Sequence, residues 1–128
     1  MVMMKPYALP KSERLHSLTA VRRLFKDGSS GFVYPFRYTT LIEKSTSPSV
    51  EVLFSVPKRY HKRANKRNLL RRRTKEAYRL NKEPLVSLAT NEMLAVDIAI
   101  IYSSKEILPY KNIEYALRRI VAEIASRN

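Results

Sequence analysis

The chain has 128 residues, no cysteine, and 25 lysines and arginines against 11 aspartates and glutamates, which gives a net charge of +14. This length is typical of one domain with its own hydrophobic core. The absence of cysteine excludes disulfides, thiolate metal sites and a cysteine nucleophile. Residues 1–14 are interrupted by two prolines, so we expect an extended lead-in to one domain spanning residues 1–128. No apolar run has the length of a signal peptide core or a membrane span, which favours a soluble cytoplasmic protein.

The first elements are a helix followed by strands. Leu18, Val21 and Phe25 recur at helical spacing and predict a helix over residues 18–27, with Gly28 just past its end. Residues 32–43 are rich in aromatic and β-branched side chains. They predict one strand, or two short strands interrupted at Pro35.

The middle of the chain contains a strand, a basic loop and a helix. Apolar residues alternate over positions 50–56 and predict a strand with one buried face, which ends at Pro57. Residues 58–67 show no apolar periodicity and predict a loop. An amphipathic helix is predicted over residues 68–81.

The last third of the chain predicts the centre of the sheet and a closing helix. Residues 83–93 are interpreted as a connection with Pro84 near its start and at most a short helical turn. Residues 94–102 are almost continuously apolar, as expected for a central strand covered on both faces. The repeat of apolar side chains over residues 113–124 predicts the closing helix.

Positive charge is concentrated in residues 57–82. This window contains twelve lysines and arginines and one acid, Glu76, so it carries +11 and leaves +3 for the other 102 residues. Such a concentration indicates a local site for a polyanion. On the predicted helix, Arg71, Lys75 and Arg79 lie at i, i+4 spacing, where like charges repel unless phosphates bind between them. A solvated helical face is the alternative. Arg73 falls within the apolar arc and must extend to solvent or find a partner.

Catalysis by protein side chains is not indicated. His16 and His61 have no acidic or cysteine neighbours at metal-ligand spacing, and two glycines cannot form a glycine-rich phosphate loop. Asp97 lies within an apolar strand and is interpreted as a buried carboxylate paired with a cation or with backbone amides. We therefore assign no catalytic residue and no metal ligand.

Aromatic side chains next to the basic window suggest single-stranded nucleic acid. Tyr34, Phe36 and Tyr38 alternate along one strand and would line one of its faces with rings. Rings beside a cationic groove are typical of single-stranded nucleic acid sites. Core packing is the alternative for each ring, as it is for Tyr60 and Tyr78.

The segments FSVPKR (54–59) and ANKRNLLRRRTKEAY (64–78) together resemble the hallmark of the bacterial ribonuclease P protein component. Supporting matches are Arg14-Leu15, the FKDG run at 25–28 and the DIAII run at 97–101. The resemblance spans about residues 14–122. Leu69 stands where the family's Arg-Asn-Arg motif has its second arginine, and Val21 stands where an aromatic residue is frequent.

The resemblance implies an α+β fold in which a mixed four-stranded sheet packs with three helices in the order αβββαβα, with a left-handed crossover around the basic helix. It also implies a protein subunit that binds ribonuclease P RNA and precursor tRNA and assists the removal of the 5′ leader. The RNA subunit would perform the hydrolysis with Mg²⁺, and the protein itself would need no cofactor. Neither membrane nor DNA binding is expected.

The resemblance further assigns residues to two surfaces. The leader-binding cleft would be lined by Val21, Phe25, Tyr38, Arg71, Lys75 and Arg79. The RNA subunit would be contacted by Lys58, Arg59, Lys66, Arg67, Asn68, Arg72 and Arg73.

Two other classes of protein share parts of this pattern. A ribosomal protein or an RNA chaperone would have the same charge and a similar order of elements. What disfavours these is the co-occurrence of the basic segment with Phe25 and Gly28 at the end of the first helix. DNA binding through the basic helix is remote because no helix-turn-helix or zipper pattern is present.

Overall fold

A computed structural model describes residues 18–126. The predictions for residues 1–14 and for His16 lie outside this range. Four helices and four strands occur within it, in the order α1 (Leu18–Asp27), β1 (Ser29–Val33), β2 (Phe36–Lys44), β3 (Ser49–Ser55), α2 (Ala64–Asn81), α3 (Glu83–Glu92), β4 (Leu94–Tyr102) and α4 (Tyr110–Ser126). No helix among these described residues is long and apolar enough to cross a membrane.

The four strands form one mixed sheet in the order β1-β2-β4-β3. β1 pairs with β2 and β2 with β4 in antiparallel orientation, whereas β3 and β4 are parallel. The prediction that residues 94–102 form a central strand is confirmed, since β4 has a partner on each side. A parallel pair needs a crossover, and α2 and α3 supply it. The handedness of that crossover stays a prediction.

The two faces of the sheet carry different helices. Side chains of a strand alternate between faces. Phe36 and Tyr38 of β2 and the even-numbered residues of β4 belong to the main core with α2, α3 and α4. On the opposite face, Leu24 of α1 is buried against Ala99, with Val21, Leu41 and Leu53 packed around them. We call these the α4 face and the α1 face. Each prospective binding residue can therefore be assigned to one side of the molecule.

The structure corrects two predictions about helices. Residues 83–92 form a complete helix, α3, so four helices pack with the sheet where three were predicted. Pro84 lies in its first turn, where the missing amide donor costs nothing, and Met93 ends it at φ 54°. α2 begins at Ala64, four residues earlier than predicted. The prediction missed this first turn because the turn is polar and shows no apolar repeat.

The hairpin of β1 and β2 starts earlier than its composition indicates. β1 includes Ser29, Ser30 and Gly31, which have low strand propensity. Gly31 is required there because a Cβ atom would lie 2.4 Å from the Tyr38 ring. The predicted interruption at Pro35 is the turn between the two strands.

Candidate nucleic-acid interface

The basic loop between β3 and α2 is anchored at His61 and Lys62, close to the start of α2. His61 is buried, and its Nε2 donates to the Ser104 backbone oxygen at 2.7 Å. Its ring also packs edge-on against Tyr102, with 5.7 Å between the ring centroids. From α2, Arg67 Nη1 donates to the backbone oxygens of His61 at 3.0 Å and Lys62 at 2.7 Å. His61 is therefore a packing residue, and Arg67 holds the loop in place.

Exposed cations occupy this anchored loop and the first half of α2. Lys58, Arg59 and Arg72 are exposed, as is Asn68. The guanidinium of Arg59 lies 5.0 Å from the centroid of the Tyr60 ring, which fixes part of its side chain. Several donors thus face solvent on a scaffold fixed by buried groups.

A groove of about 390 Å³ lies along α2 and is lined by Asn68, Arg71, Arg72 and Lys75. Arg71 Nη1 donates to Asn68 Oδ1 at 3.1 Å, so this guanidinium is oriented before any ligand binds. We call these four side chains the cationic ridge. Such a groove suits phosphate oxygens, which accept hydrogen bonds from guanidinium and ammonium groups.

Two other arginines of α2 are engaged within the protein. Arg73 Nη1 donates to the Leu108 backbone oxygen at 2.7 Å, which provides the partner that its position in the apolar arc requires. Arg79 forms two hydrogen bonds to Glu76, Nε to Oε2 at 3.0 Å and Nη2 to Oε1 at 2.5 Å. These bonds hold the pKa of Glu76 below its usual value. Arg79 is therefore ion-paired with Glu76, and its predicted place in the leader-binding cleft stays a prediction.

The α1 face presents a second, more apolar surface. Phe25 of α1 and Phe32 of β1 are 48% and 55% exposed. Phe32 is directly opposite Arg37 in the strand register, and Arg37 is in turn opposite Ile101. Two exposed rings and an exposed guanidinium therefore lie on one face.

Comparison with known proteins identifies the family. The family model for ribonuclease P matches residues 9–125. Two sequences named ribonuclease P protein component, from Porphyromonas gingivalis strains W83 and ATCC 33277, are 34% and 32% identical to this chain over 121 and 120 residues. Both alignments cover 93% of this chain and 88% of the relative. The chain belongs to the ribonuclease P protein family.

Solved ribonuclease P proteins share the fold. The protein from Staphylococcus aureus superposes with a TM-score of 0.67 at 23% identity, over 90% of this chain and 96% of that one. The protein from Thermotoga maritima gives 0.67 at 21% identity, over 87% and 96%. The α+β class and the mixed four-stranded sheet are thereby confirmed.

Membership of the ribonuclease P protein family defines the activity. The chain is the protein component of a bacterial ribonucleoprotein endoribonuclease that processes tRNA. Family membership also implies, in general terms, binding to ribonuclease P RNA and precursor tRNA. A ribosomal or chaperone role is no longer needed to explain the charge.

The predicted leader cleft of this ribonuclease P protein is divided by the sheet. Val21 and Phe25 lie on the α1 face, whereas α2 packs on the α4 face. Tyr78 of α2 contacts Phe54 of β3, with 5.5 Å between ring centroids. Arg71 lies two turns before Tyr78 on nearly the same side of α2. The cationic ridge therefore borders the β3 edge of the sheet.

Tyr38 does not belong to the α1 face. Its side chain is 1% exposed, and its hydroxyl donates to Glu123 Oε1 of α4 at 2.6 Å. Because side chains alternate along a strand, Arg37 and Thr39 are the β2 residues on the α1 face. Sequence reasoning missed Phe32, Arg37, Thr39 and Ile101, and the only signal for them was this alternation.

A carboxylate cluster lies elsewhere on the α1 face. Asp97 is half-buried opposite Glu51 in the strand register, and burial, followed by the charges of Glu51 and Glu43, raises its pKa. Arg23 forms an ion pair with Glu43, and its charge lowers the pKa of Asp97 without outweighing burial and the two neighbouring carboxylates. Among residues 18–126, no three acidic, histidine or cysteine side chains are placed to hold a metal ion.

Proposed function

We propose that the α1 face binds the single-stranded 5′ leader of precursor tRNA and that the basic loop and α2 contact the RNA subunit. The observation that carries this proposal is the pair of half-exposed rings, Phe25 and Phe32, with Arg37 beside Phe32. Unpaired bases stack on such rings without regard to sequence, and an adjacent guanidinium binds the backbone. A leader differs in sequence from one tRNA to another, so a sequence-tolerant site suits it.

The cationic ridge connects the two surfaces in this proposal. It borders the β3 edge, so Arg71 and Lys75 can bind phosphates of a strand that passes from the α1 face around β3. Arg72 and Asn68 lie further around the helix and, together with Lys58, Arg59 and Lys66, bind the RNA subunit. Arg67 contributes by holding the loop, and Arg73 by fixing α2 to Leu108.

The role assigned to the protein is positioning. The RNA subunit carries out hydrolysis with Mg²⁺, and the protein neutralises phosphates and holds the leader, which lowers the Mg²⁺ concentration that the complex needs. Neutralised phosphates also release counterions, so affinity falls steeply with salt. The proposal includes a cytoplasmic location, which the RNA partners support.

The test is cleavage of a precursor tRNA by a bacterial ribonuclease P RNA at low Mg²⁺ concentration and moderate salt, with and without the protein. We expect protein-dependent release of the 5′ leader. The control is the RNA alone at high Mg²⁺, which must cleave. No stimulation by the folded protein, with a competent RNA, would contradict the proposal.

A further inference from the structure

A second groove lies on the α4 face, on the side of the sheet opposite Phe25 and Phe32 and lined by none of the residues of the cationic ridge. It has a volume of about 530 Å³ between the β1–β2 turn and the start of α4. Its walls include Val33 and Tyr34 on one side and Lys111, Tyr115 and Arg119 on the other, with Leu108 between them. Val33 points to the α4 face because it is buried in the main core. Phe32, its neighbour, points to the α1 face, so β1 separates the two sites.

One wall of this groove is a row of three α4 side chains in which cations and a ring alternate. Lys111, Tyr115 and Arg119 follow each other at four-residue spacing and extend about 12 Å along the helix axis. Tyr115 is 65% exposed, the highest exposure among the large apolar and aromatic side chains that the structure describes. A cation thus lies on either side of an exposed ring.

The opposite wall presents a second ring in a fixed position. Tyr34 is 49% exposed, and its hydroxyl hydrogen-bonds to Ser104 Oγ at 3.0 Å and donates to Glu106 Oε1 at 2.8 Å. These bonds hold the edge of the ring and leave its face available to the groove. The acidic groups near the groove are Glu106, which is bonded to Tyr34, and Glu123, whose Oε2 lies 3.9 Å from Arg119.

We propose that this groove is a second RNA-binding site, which holds an unpaired nucleotide by stacking on Tyr115 and by phosphate contacts from Lys111 and Arg119. Two rings and two cations in a concave site are what a stacked base with its flanking phosphates requires. The proposal rests on the protein being an RNA binder and adds a site on the face opposite the leader site. The nucleotide belongs either to the RNA subunit or to precursor tRNA, and the chemistry of the site is the same for both.

The test uses the protein reconstituted with ribonuclease P RNA and precursor tRNA. In one arm the RNA subunit carries photoreactive 4-thiouridine, and in the other the precursor tRNA carries it; cross-linked residues are mapped by mass spectrometry. Cross-links at Tyr115 or Tyr34 in either arm support the proposal and identify the source of the nucleotide. Absence of cross-links to these residues in both arms, while other parts of the protein do cross-link, overturns it.

Variants of Tyr115 provide the binding test. Tyr115→Ala should weaken binding of the cross-linked RNA at least about fivefold, the lower limit for loss of one stacked base. Tyr115→Phe keeps the ring and should bind like the unchanged protein. Truncation at this exposed position leaves the core intact, and circular dichroism checks that. Equal affinity of the Ala and Phe variants would overturn the proposal.

Charge variants separate this site from the proposed leader site. Lys111→Ala combined with Arg119→Ala should flatten the salt dependence of binding by roughly 0.7 in log–log slope for each phosphate that is no longer neutralised. Lys44→Ala, at the far end of β2, is the single-charge control. If Phe25→Ala weakens leader binding while all α4 variants bind normally, this proposal fails and the proposed function stands. If the unchanged protein binds no RNA, both fail.

Discussion

The basic segment and the α1 face differ in how they can hold RNA. The segment carries +11 over residues 57–82, and the side chains of His61 and Arg67 fix it by hydrogen bonds to backbone oxygens. The α1 face offers two rings and one guanidinium on a sheet surface. Charge binds any phosphate backbone and loses strength with salt, whereas rings require an unpaired base. Under the proposed function, affinity therefore comes from the basic segment and preference for a single strand from the α1 face.

The largest expected effect comes from removing charge from the cationic ridge. Arg71→Ala combined with Arg72→Ala should weaken binding to ribonuclease P RNA about tenfold or more at physiological salt, because two phosphates are no longer neutralised. A filter-binding titration over a range of salt concentrations measures this change. The variant with Lys44→Ala and Arg118→Ala removes the same charge elsewhere. Equal weakening by both double variants would show that net charge matters and the ridge does not.

Phe25→Ala should produce a smaller effect that depends on the leader. We expect at least about fivefold weaker binding to precursor tRNA and unchanged binding to mature tRNA, because only the leader offers bases to stack. Leu18→Ala, an exposed apolar residue at the start of the same helix, is the matched control. A similar decrease in binding of precursor and mature tRNA would contradict leader binding on the α1 face.

Glu76→Gln should strengthen RNA binding. The substitution releases Arg79 from its ion pair and removes a negative charge beside the cationic ridge, for an expected gain of about twofold, typical of an exposed pair. Because Arg79 lowers the pKa of Glu76, the pair persists at every pH above the usual value for glutamate. Glu92→Gln on α3 is the control. Unchanged affinity would show that Arg79 does not reach RNA.

Asp97→Asn should have the smallest effect, on stability alone. Burial and the neighbouring Glu51 and Glu43 raise the pKa of Asp97, so the folded protein favours the protonated form. Its stabilising contribution is present below the usual pKa of aspartate and is lost as pH rises through the raised value. Between pH 4 and pH 7, the free energy of unfolding of the variant should therefore rise relative to that of the unchanged protein by up to about 1 kcal/mol. Solvent screening of the half-buried group sets this limit. Urea unfolding of both proteins at pH 4 and pH 7 measures this change. The same stability difference at both pH values would contradict the prediction.

Long periodic patterns predicted most of the fold. The apolar run of residues 94–102 indicated a central strand, and the alternation over residues 50–56 indicated β3; both are confirmed. α3 was missed because it buries only Leu85 and Ala89, too few for a clear helical repeat. The start of α2 was missed because tertiary contacts of Arg67, and not an apolar pattern, stabilise its first turn.

The binding surfaces were only partly predictable. Dense charge indicated the cationic ridge, but sequence could not show that Glu76 neutralises Arg79. The alternation along β2 shows that Tyr38 and Arg37 point to opposite faces of the sheet. It does not show which face α1 covers, because helices pack on both faces. The resemblance therefore assigned Tyr38 to the leader cleft, while the fold directs it to Glu123.

The division of labour between the two regions is tested most directly by cross-linking from the leader. Precursor tRNA with 4-thiouridine at leader positions is bound to the reconstituted holoenzyme, irradiated, and the cross-linked residues are mapped. The account predicts cross-links at Phe25 and Phe32, which weaken in Phe25→Ala and persist in Leu18→Ala. Leader cross-links confined to α2, with none on the α1 face, would contradict it.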